Sequence, residues 1–207
     1  MLIDLFGAAV DHASAPKCLP SHLENLPTQK IHVIGAGKAA AAMAKTIENH
    51  VAGETSGLVV TRYGHAVSTS SIEVVEAAHP VPDELGLRAA MRVIDLAKTL
   101  DEMDYVIIAI SGGASSLLSR PHPEIAFEDK QSITRQLLLA GATIHEINCV
   151  RKHLSAIKGG RLMSHIFPAS ALTLCISDVV GDDPSIIGSG PTVGDPSTCD
   201  EVLDVIS

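Results

Sequence analysis

The sequence predicts an α/β fold, Rossmann-like, with a mostly parallel sheet and helices on both faces. Short apolar runs bounded by turn residues recur along the chain, and longer amphipathic stretches separate most of them. The chain is 46% hydrophobic but only 2% aromatic, so its core must be built from Val, Ile, Leu and Ala. Sixteen glycines accompany the alternation, and 207 residues suffice for one domain, or one and a fraction, with a full core.

Taken in order, residues 2–14 read as a short amphipathic helix, followed by a Pro-rich connection from Pro16 to Pro27. Ile31–Ile34 is a strand, and Gly35–Ala40 opens an Ala-rich helix that runs to about His50. Gly57–Thr61 and Ile72–Glu76 are the next strands, with Gly64 turning between them. Asp83 is placed to cap a helix reaching about Leu100. Tyr105–Ile110 is the clearest buried strand, and two or three helices follow between Phe127 and His165. Ala171–Ile176 is the last strand. Strands alternating with helices imply parallel pairing and right-handed crossovers. Thr198–Ser207 opens a helix whose Glu201, Val202, Leu203, Val205 and Ile206 form an apolar face with nothing after it. That reads as a chain cut mid-architecture or as a short terminal helix. No internal repeat or low-complexity segment interrupts the pattern.

Charge and composition narrow the function. A net charge of −9 argues against nucleic acid, which needs a basic surface. Beyond Arg161 there is no Lys or Arg. Cys18, Cys149, Cys175 and Cys199 lack metal-type spacing, and the ten histidines stand singly, so zinc is not expected. Asp4 sits where a signal peptide would need its apolar core, and no run is long enough for a membrane span. A cytoplasmic chain without a membrane partner is expected.

Four loops hold residues suited to chemistry. Ser177-Asp178-Val-Val-Gly-Asp182-Asp183-Pro184 follows the last strand, on the side of a parallel sheet where ligands bind. Its three carboxylates, Asp178, Asp182 and Asp183, suit Mg²⁺, and the following Gly188-Ser189-Gly190 lets a ligand approach the backbone; a solvated acidic loop is the alternative. Gly35-x-Gly37-x-x-Ala40 fits a dinucleotide fingerprint, but Thr61-Arg62 stands where the ribose-binding acid belongs; the arginine would suit NADP. Lys38 lies in that turn, near a helix N-terminus that attracts anions, and reads either as a phosphate or carboxylate ligand or as a solvated lysine.

Ser111-Gly112-Gly113-Ala114-Ser115-Ser116 ends the clearest strand with two glycines and three hydroxyls, as an anion-binding nest or a tight capped turn. The stretch from Arg151 to Arg161 holds Arg151, Lys152, Lys158 and Arg161 with no acid among them. At helical spacing Arg151, Lys158 and Arg161 share one stripe, a phosphate or carboxylate ligand set or a solvated face.

Together these segments resemble the N-terminal domain of the class II glycerate kinases, the glycerate 2-kinases whose C-terminal half is the MOFRL domain. Matching stretches are Ile34-Gly-Ala-Gly-Lys-Ala-Ala40, His79-Pro-Val-Pro-Asp83, Ser111–Leu118, Asn148–Arg161 and Ser177–Ser197. The resemblance covers residues 1–207, and members often carry the label hydroxypyruvate reductase. It implies a Rossmann-like domain facing a second α/β domain, with D-glycerate and ATP in the cleft between them. The MOFRL domain is absent from this chain, and with it an arginine the family uses, so the chain by itself is expected to be inactive.

By similarity Lys38 matches the family's active-site lysine. The expected reaction is ATP-dependent phosphorylation of D-glycerate to 2-phosphoglycerate. Lys38 and Asp178 would be catalytic. Gly35, Gly37, Ser111, Gly112, Gly113, Ser115, Ser116, Arg151, Lys158, Gly188, Ser189 and Gly190 would bind substrate or phosphate, and Asp178, Asp182 and Asp183 would hold Mg²⁺. The rivals are an NADP-dependent hydroxypyruvate reductase and a non-catalytic sugar-phosphate-binding module. A homodimer is compatible with the glycerate kinase reading.

Overall fold

A computed structural model describes residues 1–207. Helix α1 (Leu2–His12) and the one-turn α2 (Ala15–Cys18) lead into β1 (Ile31–Ala36), α3 (Ala40–His50), β2 (Thr55–Arg62) and β3 (Ile72–Ala77). Then come α4 (Glu84–Ala97), β4 (Tyr105–Ser111), the short α5 (Ala114–Leu117), α6 (Phe127–Leu139), α7 (Ile144–His153) and α8 (Arg161–Ile166). β5 (Ser170–Ile176) and α9 (Cys199–Ile206) complete the order. All four strand pairings are parallel, in the order β3-β2-β1-β4-β5.

Alternation along the strands divides the core into two layers. Ile31 and Val33 of β1 pack with Ile107 and Ala109 of β4 beneath Met43, Ala44 and Ile47 of α3. The intervening Ile34 and Ala36 pack with Ile108 and Ile110 on the other face, beneath Ala89, Ala90, Val93 and Ala97 of α4. Small alanines on both helices let them lie close to the sheet, which is how an aliphatic core manages almost without aromatics. Asp83 caps α4 as expected, its carboxylate accepting the Gly86 N–H at 2.9 Å.

The regular alternation of strand and helix fails once. Between β2 and β3 residues 63–71 return along the sheet without a helix. An extended chain covers ~3.3 Å per residue, enough to retrace a short strand. Two carboxylates hold this crossover at its ends. Glu76 accepts the Gly64, His65 and Ala66 N–H groups. Glu48 accepts those of Ser70, Ser71 and Ile72, with the Ser71 hydroxyl. Burial alone would raise the Glu48 pKa, but these donors outweigh it and lower it to about 2.

Two further expectations change. No residue of α1 is buried. Conversely, the apolar side of α9 is covered in part: Val202 packs against Leu137 of α6 and Ile147 and Val150 of α7, whereas Leu203 and Ile206 stay exposed.

Candidate active site at the sheet switch point

The strand order reverses between β1 and β4, whose carboxyl ends lie side by side, Ala36 opposite Ile110. Such a reversal splays the two following loops apart and opens a crevice. Here the loops are Gly37-Lys38-Ala39 and Gly112-Gly113. They are stitched together: Lys38 N–H donates to Gly112 O at 2.8 Å, and Ala39 N–H to Ser111 Oγ at 3.0 Å. Gly37 has φ +134°, and a Cβ there would run into the Ser111 hydroxyl and carbonyl, so the close approach requires glycine.

The backbone stitching presents the Lys38 side chain beside β5's exit loop. Its Nζ lies 4.0 Å from Asp178 Oδ2, with 41% and 60% of the two side chains exposed. A Cβ on Gly112 would collide with the Asp178 carboxylate, and one on Gly113, at φ +89°, would meet the His79 imidazole at 2.8 Å. One lysine, one carboxylate, one imidazole and two bare glycine backbones therefore surround the same crevice. Burial, and after it the charges of Lys38 and Arg62, hold His79 below the usual histidine range. A neutral imidazole beside a cation can accept a proton. The sequence marks His79 only as part of the His79–Asp83 stretch shared with the glycerate kinases; the structure sets it beside Gly113 and Lys38.

The structure keeps Gly37, Lys38, Asp178, Gly112 and Gly113 together and gives most of the other expected residues structural partners. Gly35 lies inside β1, where a Cβ would strike the Ala109 carbonyl at 2.5 Å, so it serves sheet packing. Ser111 is buried and accepts the Ala39 N–H, while Ser116 Oγ donates to Gly113 O at 3.0 Å; both fasten the turn. Gly188, Ser189 and Gly190, all at positive φ, form a support beneath α5 rather than a ligand loop. Ser189 is 0% exposed, its Oγ bonded to Asn148 Oδ1 and paired with Ser115 Oγ. Gly159 and Gly160 donate to the Ser189 and Gly190 carbonyls, which accounts for that second glycine pair.

The basic stripe also dissolves. Helix α7 ends at His153 and α8 begins at Arg161, so Arg151, Lys158 and Arg161 do not share one helix. Lys158 is 1% exposed and donates to the Ser115 and Leu118 carbonyls at 2.7 and 3.2 Å, closing the end of α5. Arg161 donates to the Lys152 and Lys158 carbonyls. Arg151 lines a different cavity, beside Lys130.

The three acids of the exit loop do not converge, and no group of three or more His, Cys, Asp or Glu side chains is placed to hold a metal. Asp183 turns back to accept the Ser185 N–H at 2.8 Å, and that serine lowers its pKa. Asp182 is exposed, with φ +52°. Local turn bonds have claimed what the sequence offered as ligands.

Across its whole length, residues 1–207, the chain matches the family described as "Domain of unknown function (DUF4147)". The chain belongs to that family. Among its relatives is a provisionally named hydroxypyruvate reductase of Agrobacterium vitis, 48% identical over 98% of this chain and 47% of its own length. The D-glycerate 2-kinase of Thermotoga maritima is 38% identical over 100% of this chain and 50% of its own length. A solved Pyrococcus horikoshii OT3 protein superposes with TM-score 0.90 at 38% identity, over 99% of this chain and 49% of its own. The DUF4147 chain thus spans about half the length of the relatives it matches. The resemblance read from the motifs, to the glycerate 2-kinases often labelled hydroxypyruvate reductases, is borne out by these relatives, as is the α/β fold with its five parallel strands. No helix is long and apolar enough to cross a membrane.

Proposed function

We propose that this chain carries the Lys38 half of a glycerate 2-kinase active site, transferring the γ-phosphoryl group of ATP to D-glycerate to give 2-phosphoglycerate. The observation that carries the reading is the convergence of Lys38, Asp178, His79 and the Gly112–Gly113 backbone on one crevice at the switch point. Relatives named as glycerate 2-kinases, one of them matching the whole chain, support it. A second domain, as the doubled length of those relatives suggests, would supply the facing wall, and the enzyme would act in the cytoplasm.

Phosphoryl transfer asks a protein for positioning and charge neutralisation more than for covalent chemistry. Lys38, paired with Asp178 and still accessible, would neutralise charge on the transferred group. The glycines let an anionic group reach the backbone without a side chain in the way. His79, held neutral, is placed to take the proton of the attacking hydroxyl. The residues present do not form an all-protein Mg²⁺ cage. Asp178 is the one carboxylate at the crevice, and magnesium is commonly held by one or two carboxylates together with nucleotide phosphates.

The test is an ATP- and Mg²⁺-dependent assay of the full-length gene product with D-glycerate, resolving 2- from 3-phosphoglycerate. Formation of 2-phosphoglycerate is expected. Oxidation of NADPH with hydroxypyruvate, and no glycerate-dependent ATP consumption, would replace this reading by the reductase.

A further inference from the structure

Behind the His79–Asp83 loop, a cavity of about 200 Å³ opens between α5, α6 and α7. A water needs only ~10–15 Å³ of such space, so this one admits a small molecule. Lys130 and Arg135 of α6 and Arg151 of α7 line it, with the Ser115 and Ser119 side chains, and no acid lines it at all. Gln131 closes one wall by donating to Pro82 O at 2.6 Å.

Lys130 is only 4% exposed, and its Nζ is buried with no hydrogen-bond partner. Lys130, Arg135 and Arg151 have no carboxylate within ion-pair distance; the ion pairs of this region, Lys152 and His153 with Asp195, lie elsewhere. A buried cation without a counter-charge costs several kcal/mol and persists only where something else compensates it. In a chain of net charge −9, concentrating three unpaired cations around one cavity is the opposite of what solubility or packing would produce.

We propose that this cavity is an anion-binding pocket for the carboxylate or phosphate group of a small ligand, with Lys130 and Arg151 as its principal ligands and the Ser119 hydroxyl as a further donor. It is distinct from the Lys38 crevice and does not rest on the phosphoryl-transfer reading, although Ser115 lies in the same loop as Gly112 and Gly113. Burial, and after it the charges of Arg151 and Arg120, bring the Lys130 pKa down to about 7. The charged groups around it, Arg120, Arg135, Arg151 and the buried Lys158, are all cationic, so an incoming anion would favour its charged form.

The experiment is calorimetric titration of the purified protein with inorganic phosphate and, separately, with acetate as a carboxylate probe that is not the proposed substrate. At least one should bind, and the arm that binds identifies the group. Lys130→Met, which keeps length and removes charge, and Arg151→Gln should each weaken that binding about tenfold or more, the scale of a lost charged hydrogen bond. Arg88→Gln, a surface change on α4 outside the lining residues, should leave it within about twofold. If Lys130→Met does not fold, Arg151→Gln decides alone. Failure of the wild-type protein to bind either probe, or binding that both variants retain, overturns the proposal. These titrations need no ATP turnover, so their outcome is separate from that of the kinase assay.

Discussion

Lys158 and Lys130 are both buried, lie in the same cationic neighbourhood and have pKa values lowered first of all by burial. They differ in what their ammonium groups find. Lys158 reaches two backbone carbonyls and closes the end of α5, whereas Lys130 reaches none and borders a cavity. A buried charge whose donors are satisfied is part of the framework. One whose donors are vacant, facing space, marks a place for a ligand. The Lys38 side chain provides the third case: partly exposed, near a single carboxylate, and free to meet a substrate.

The largest effect should come from breaking the satisfied case. Lys158→Met leaves the Ser115 and Leu118 carbonyls buried without a donor. It should destabilise the chain by roughly 2–4 kcal/mol in urea unfolding, most of it the penalty of those orphaned acceptors. An unchanged midpoint would show that Lys158 is no more structural than Lys130.

Glu48 is the anionic counterpart of Lys158, a nearly buried carboxylate whose acceptors are filled by Ser70, Ser71 and Ile72. Its folded pKa, about 2, lies below the ordinary value of 4.5, so its contribution is present above pH 4.5 and is lost as pH falls toward 2. That contribution is on the order of 3 kcal/mol. Acid titration of stability should therefore be steeper for the wild-type protein than for Glu48→Gln. Parallel curves would remove Glu48 as the source.

In the full-length gene product Lys38→Ala should lower turnover with ATP and D-glycerate about tenfold or more while moving the melting temperature by no more than about 2 °C, since its side chain is partly exposed and packs little. Retained turnover would exclude Lys38 from the crevice chemistry. The smallest stability change belongs to Lys130→Met, which exchanges an unsatisfied buried ammonium for a thioether of similar length. Without added anion its stability should equal or exceed the wild type by up to about 1 kcal/mol. A clear loss would mean that Lys130 is satisfied in solution, and the contrast with Lys158 would disappear.

Lys130 also shows where sequence reading stops. It sits in an ordinary helical stretch, Phe127-Glu-Asp-Lys-Gln-Ser, with acids immediately before it. Nothing in that pattern distinguishes it from a solvated lysine; its burial depends on α7 and the Pro80–Pro82 loop packing over it. His79 was visible as part of a proline-rich loop, but not as the neighbour of Gly113. Two glycine clusters looked alike, yet Gly112–Gly113 borders the crevice and Gly188–Gly190 supports it from beneath. The three exit-loop acids were equally plausible metal ligands until Ser185 captured Asp183.

The sequence by itself determined the five strands, the Asp83 cap, the aliphatic two-layer core and the tight Gly37-Lys38 turn after the first strand. Those features follow from periodicity and from short-range hydrogen bonding, which act between residues close in the chain. Only the tertiary structure decided the order β3-β2-β1-β4-β5, the helix-free crossover after β2, and which basic residue would be satisfied, exposed or left facing a cavity. Whether a lysine becomes framework or ligand depends on which acceptors lie within reach of its ammonium. For Lys158 the decisive acceptors, Ser115 and Leu118, come from a distant segment brought there by packing.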